Sequence, residues 1–102
     1  SPQVAAGREL FIANCASCHN KNMQDKLTGP ALGGVEERWA AYPRTDLIEF
    51  IRNNRKLIKA GHPQAVAVWK EYKPARMNKF SSLTDENVED LLAYINQVYR
   101  SH

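Results

Sequence analysis

The chain has 102 residues, 43% hydrophobic and 25% charged, which suits one globular domain and leaves too little chain for a two-domain enzyme. Its longest uninterrupted apolar runs, Ala65 to Trp69 and Leu91 to Ile95, are five residues each, far short of the ~20 that cross a bilayer. The net charge of +3, with no Arg-rich tract and no phosphate-cradling Gly loop, argues against nucleic acid as a partner.

In chain order, Pro2 to about Asn14 places Val4, Leu10 and Phe11 with small Gly7 at spacings that predict a helix, with Pro2 suited to its first turn. This helix runs into Cys15-Ala16-Ser17-Cys18-His19. Residues 20–44 carry Gly29-Pro30, Gly33-Gly34 and Pro43 without sustained periodicity and read as loop, with a short helical turn expected at Glu36 to Ala40. Thr45 is expected to cap a helix in which Leu47, Ile48, Phe50, Ile51, Leu57 and Ile58 recur at helical spacing; Arg52, Arg55, Lys56 and Lys59 form a stripe that reads as its solvated face. Ala60-Gly61 ends that helix, Pro63 starts another to about Tyr72, and Pro74 stops it. A loop from Lys73 to Leu83 follows. Thr84 then caps the last helix, with Asp85 and Glu86 in its first turn and an apolar stripe of Val88, Leu91, Leu92, Ile95, Val98 and Tyr99. No segment alternates as a half-buried strand would, so the expected fold class is all-α, one domain over residues 1–102.

The two cysteines form CxxCH. Two thiols at that spacing can add to the two vinyl groups of one haem, and the adjacent imidazole of His19 then lies under the iron. A thioredoxin-like redox pair would want a βαβ pattern. Zinc would need His62 and His102 beside the cysteines, at spacings of no common zinc module. A disulfide here would close a loop of four residues and restrain little chain. For the second axial position there are two methionines. Met23, four residues past His19, would have to reach round the edge of the macrocycle. Met77 has ample chain and sits in the aperiodic loop Pro74 to Phe80. His62, in a helix-start turn before Pro63, is the rival ligand.

These residues resemble the small, single-haem class I cytochromes c of bacteria. The resemblance rests on Gly7-Arg8-Glu9-Leu10-Phe11 before the CxxCH, Gly29-Pro30-Ala31-Leu32, Met77 ahead of Leu83-Thr84-Asp85-Glu86, and Leu91-Leu92-Ala93-Tyr94-Ile95. It implies four to five helices wrapped round one haem c, with thioether bonds from Cys15 and Cys18, His19 as proximal ligand and Met77 as distal ligand. It further implies that the Pro30 carbonyl accepts the His19 Nδ1–H, and that Gly7 and Phe11 let the first helix cross over Leu91 and Tyr94. Between Arg44 and Pro74 the chain departs from the most compact members. Arg38, Trp39, Tyr42 and Arg44 are candidates for holding the haem propionates, and Trp69, Tyr72 and Phe80 for lining the haem.

The function implied is one-electron transfer by a protein that is not itself an enzyme. Its partners would be a terminal oxidase, a quinol-oxidising complex or a dehydrogenase. The alternatives are a cytochrome domain of a larger oxidase or dehydrogenase, and a gas sensor or weak peroxidase in which Met77 dissociates. The chain starts Ser-Pro-Gln without a leader pattern, and haem attachment through CxxCH suggests export. The expected place is the periplasm or the outer face of the cytoplasmic membrane, with an anchor allowed ahead of Ser1, and the expected state is a monomer. Residues 52–79 hold eight Lys or Arg and one acid, whereas residues 80–102 hold one Arg and four acids. Lys73, Arg76 and Lys79 are thereby candidates for steering the protein onto an acidic surface.

Overall fold

The computed structural model describes residues 1–101; His102 lies outside them. Five helices occur among these residues: α1 Pro2–Asn14, α2 Val35–Arg38, α3 Arg44–Lys59, α4 Pro63–Tyr72 and α5 Asp85–Arg100. None is long and apolar enough to cross a membrane.

The governing contact is α1 against α5. Gly7 has no Cβ, and one built there would run into the Asp90 carbonyl oxygen and stand 2.9 Å from Tyr94 Cβ, so only glycine permits this crossing distance. One turn on, Phe11 is fully buried and its ring lies 5.7 Å from that of Tyr94. On α5 the stripe of Val88, Leu91, Leu92 and Ile95 is buried. At about 1.5–3 kcal/mol for each large apolar side chain fully buried, this seam supplies much of the driving force for folding. α5 is also the best-capped helix. Thr84 Oγ1 accepts from the Asn87 N–H while Asn87 Oδ1 accepts from the Thr84 N–H, both at 3.0 Å, a reciprocal capping box.

α3 differs from its sequence reading at both its start and its middle. It begins at Arg44 after Pro43, with no side-chain cap, so Thr45 lies inside the helix and does not cap it. Proline's fixed φ already sets the extended approach that a capping residue would otherwise impose. Inside the helix Asn53 leaves helical geometry (φ −155°, ψ 76°), a break that the unbroken apolar spacing did not announce. The end follows expectation. Gly61 has φ 79°, the His62 N–H bonds to the Leu57 carbonyl and the Gly61 N–H to that of Ile58, the paired bonds of a Schellman turn. α2 is a single turn at Val35–Arg38, one residue earlier at its start than expected.

The first turn of α3 is tied to both neighbours by Arg44, which donates to Glu89 of α5 through Nε (2.9 Å) and Nη2 (2.7 Å) and to Glu36 of α2 (3.1 Å). The Arg44 bonds hold the Glu89 carboxyl below the usual carboxylate range, against a smaller opposing effect of burial. Stability from this pair is therefore fully present above the ordinary glutamate pKa and is lost as pH falls through the lowered one. Replacement Glu89→Gln is expected to cost about 0.5–1 kcal/mol at neutral pH, as for other solvent-accessible ion pairs. Urea unfolding repeated in increasing acid should show wild type and variant converging.

Candidate haem-binding site

α1 delivers the CxxCH directly to the interior. The Phe11 carbonyl accepts from the N–H of both Cys15 (2.8 Å) and Ala16 (3.0 Å), and the Cys15 carbonyl from Cys18 (3.1 Å) and His19 (2.9 Å). The motif thus coils back on the helix end. Both cysteines are half-buried, and His19 is buried. Before haem is attached, burial and then the nearby Cys18 push the Cys15 thiol up to about 11. Burial likewise lowers the His19 pKa, against a smaller opposing effect of its bond to Pro30. Burial thereby favours the neutral imidazole, the form that ligates a metal.

His19 Nδ1 lies 2.9 Å from the Pro30 carbonyl oxygen, an acceptor only, so Nδ1 carries the proton and Nε2 keeps its lone pair. Gly29 completes the cradle. Its N–H donates to the Cys18 carbonyl at 2.7 Å, and a Cβ at this position would stand 2.7 Å from His19 Cε1. The Gly29-Pro30 pair therefore fixes both the face and the edge of the ring.

Cys15, Cys18 and His19 form one wall of a cavity of about 520 Å³, within the range of sites that enclose a cofactor. All five helices reach it. α3 contributes Leu47, Phe50 and Ile51, α4 contributes Gln64, Val68, Glu71 and Tyr72, and α5 contributes Leu91, Leu92 and Ile95. Met77 and Phe80 enter from the loop after α4, and Val35 and Trp39 from the region of α2. An apolar chamber with two thiols, a preset imidazole and a thioether on its boundary fits a covalently held haem in donor chemistry and in size.

The rival ligands do not reach this chamber. Met23 is fully buried, has φ 61° and does not line the cavity. Its carbonyl accepts from the Gly33 N–H at 3.0 Å, so its left-handed backbone serves the packing of loop on loop. His62 is also absent from the lining. Its Nδ1 accepts from the Ala65 N–H at 3.4 Å, capping α4, and Nε2 donates to Asp46 at 3.0 Å. The ring packs on Trp39 and Tyr42, with centroids 5.1 and 4.4 Å away. Both nitrogens are engaged, which closes the zinc alternative for His62 as well. Among the described residues, no three His, Cys, Asp or Glu side chains gather as a metal cluster.

The remaining candidates divide. Arg38 and Trp39 border the cavity, whereas Tyr42 and Arg44 do not. Arg38 donates to the carbonyls of Gly33 and Ala31, both at 2.8 Å, so it braces the loop that carries Pro30. Of the proposed lining, Tyr72 and Phe80 are in place, while Trp69 lines a second cavity instead. Sequence reasoning missed Gln64, Val68 and Glu71 as lining. The signal was their i, i+4, i+7 spacing, which marks one face of α4.

The Cytochrome c family profile matches residues 4–99, and the chain belongs to that family, as a class I monohaem member. Its cofactor is accordingly haem c, attached through Cys15 and Cys18. No curated protein matches the sequence. Among solved structures it resembles cytochrome c from Rhodothermus marinus, at 25% identity and a TM-score of 0.80 over 99% of this chain and 80% of the other. It also resembles an engineered form of the Rhodothermus marinus protein, at 25% identity and a TM-score of 0.76 over 97% of this chain and 79% of the other. The same engineered protein bound to a carbene intermediate matches at 24% identity and a TM-score of 0.74, again over 97% and 79%.

Replacement Gly29→Ala should force the His19 ring from its place. The haem-loaded variant is expected to lose about 1–3 kcal/mol, the usual range for overpacking, measured by denaturant titration. Its covalent haem should persist on a denaturing gel, because both thioether positions are untouched.

Proposed function

We propose that this electron-transfer protein holds its iron between His19 and Met77 and carries single electrons between protein partners outside the cytoplasm. The observation that carries this reading is the selection of donors at the cavity. His19 presents a free Nε2 and Met77 is on the boundary, while Met23 and His62 are committed elsewhere. Bound haem supplies a one-electron Fe(III)/Fe(II) couple, and His/Met ligation raises its potential.

The chain does the rest. Pro30 keeps the His19 ring oriented, so Nε2 would face a bound iron without reorientation. Leu47, Leu91 and Leu92, all buried, keep water from the interior and favour the less charged redox state. With His19 and Met77 both held to the iron, no position would remain for a substrate, which favours carrier over catalyst. The cationic segment 52–79 includes Arg76, on the boundary of the cavity, and exposed Lys73 and Lys79 beside Met77 in sequence. That distribution fits an acidic docking surface on a terminal oxidase, a quinol-oxidising complex or a dehydrogenase. We place the protein in the periplasm or at the outer face of the cytoplasmic membrane, in keeping with covalent haem attachment.

Replacement Met77→Ala is expected to abolish the weak long-wavelength sulfur-to-iron absorption band of the oxidised protein, to let the reduced protein bind CO and to lower the reduction potential. His62→Ala should leave all three unchanged, and the reverse pattern would make His62 the ligand. Reversing Lys73, Arg76 and Lys79 together to Glu should slow electron transfer to an acidic redox partner by roughly tenfold or more at low salt. The difference should shrink at physiological ionic strength, as screening shortens the reach of the charges. A salt-independent, unchanged rate would remove the steering role.

A further inference from the structure

The loop that carries Met77 is not held by packing alone. Besides the main chamber, Met77 borders a second cavity of about 370 Å³, shared with Phe50, Asn54 and Trp69. There is room on that flank for the side chain to swing away. Hydrogen bonds restrain it. Among the described residues, every one that residues 76–81 make to another helix ends on Arg52 or Asn54, either side of the break in α3. The Phe80 N–H donates to the Arg52 carbonyl at 3.0 Å. Asn54 Nδ2 donates to the carbonyls of Met77 and Asn78, each at 3.2 Å. Arg52 Nη2 donates to the Ser81 carbonyl at 3.3 Å, while Nη1 pairs with Asp85 at 3.2 Å.

The break at Asn53 explains why these groups are free to act. An unbroken helix would direct the Arg52 carbonyl along its own axis to residue 56, whereas here it bonds to Phe80. Asn54 is 4% exposed, and a buried amide must spend both its N–H groups on protein acceptors. Here both go to the ligand loop, one of them to Met77 itself. We infer that the α3 break is a clamp for this loop, and that Asn54 is a positioning residue that sets how readily Met77 leaves the iron. The inference rests on the reading of Met77 as the distal ligand.

The test uses the haem-loaded full chain and CO as the probe of an open sixth position. Two lost hydrogen bonds correspond to roughly a tenfold or greater rise in the open population. Stopped-flow mixing of reduced Asn54→Leu with CO should therefore show at least that acceleration over wild type, with a weakened sulfur-to-iron band in the oxidised protein. Asn54→Gln retains the amide donors and should restore most of the slow rate, which a change in general stability would not do. Should the leucine variant fail to take up haem, Asn54→Ser, too short to reach either carbonyl, carries the same expectation. Met77→Ala is the reference for an open site. If it binds CO rapidly while Asn54→Leu and Asn54→Ser stay at the wild-type rate with the band intact, the clamp is refuted and the ligand reading stands. If Met77→Ala itself behaves as wild type, Met77 is not the ligand, and the clamp falls with it.

Discussion

The absence of a Cβ at Gly7 is the constraint on which the rest of the structure depends. The backbone of α1 can come down onto Asp90 and Tyr94 of α5 only at that position, and the close crossing brings Phe11 into the core one turn later. Phe11 in turn accepts the hydrogen bonds that start the cysteine motif. The haem attachment residues are thus placed by a helix crossing, and α5 serves the site both as the other half of that crossing and, through Leu91, Leu92 and Ile95, as a cavity wall.

The two sides of the chamber are held by different means. The His19 side is local and rigid: eleven residues separate the ring from the carbonyl that orients it, and Gly29 closes over its face. The Met77 side is assembled over a longer range, from a loop without regular structure that is tied to α3 at a break in its helix. Such an arrangement suits a carrier. On the proposed reading, His19 and its attachment cysteines would form the rigid side, while Met77 would depend on a few hydrogen bonds from α3.

His62 and Met23 show how residue type misleads when geometry is unknown. Each has the chemistry of a ligand, yet His62 caps α4, bonds Asp46 and packs on two aromatic rings, and Met23 is enclosed in the loop core. Arg44 is similar: proposed from its charge for the propionates, it instead joins α2, α3 and α5 through Glu36 and Glu89.

Much of this protein was determined by the sequence alone, because the information was local. The limits of α1 and α4, the Gly61 turn and the start of α5 at its Thr84 cap follow from backbone chemistry within a few residues. The CxxCH concentrates two attachment points and a ligand in five residues, and the Pro30 partner followed from family resemblance. Only the tertiary structure decided which candidate donors border the chamber, which aromatic rings enter it, and that α3 breaks at Asn53. The physical reason is the same for all three. Each depends on contacts between segments far apart in the chain, such as Asn54 with Met77 or His62 with Asp46, and periodicity within one helix carries no record of a partner in another.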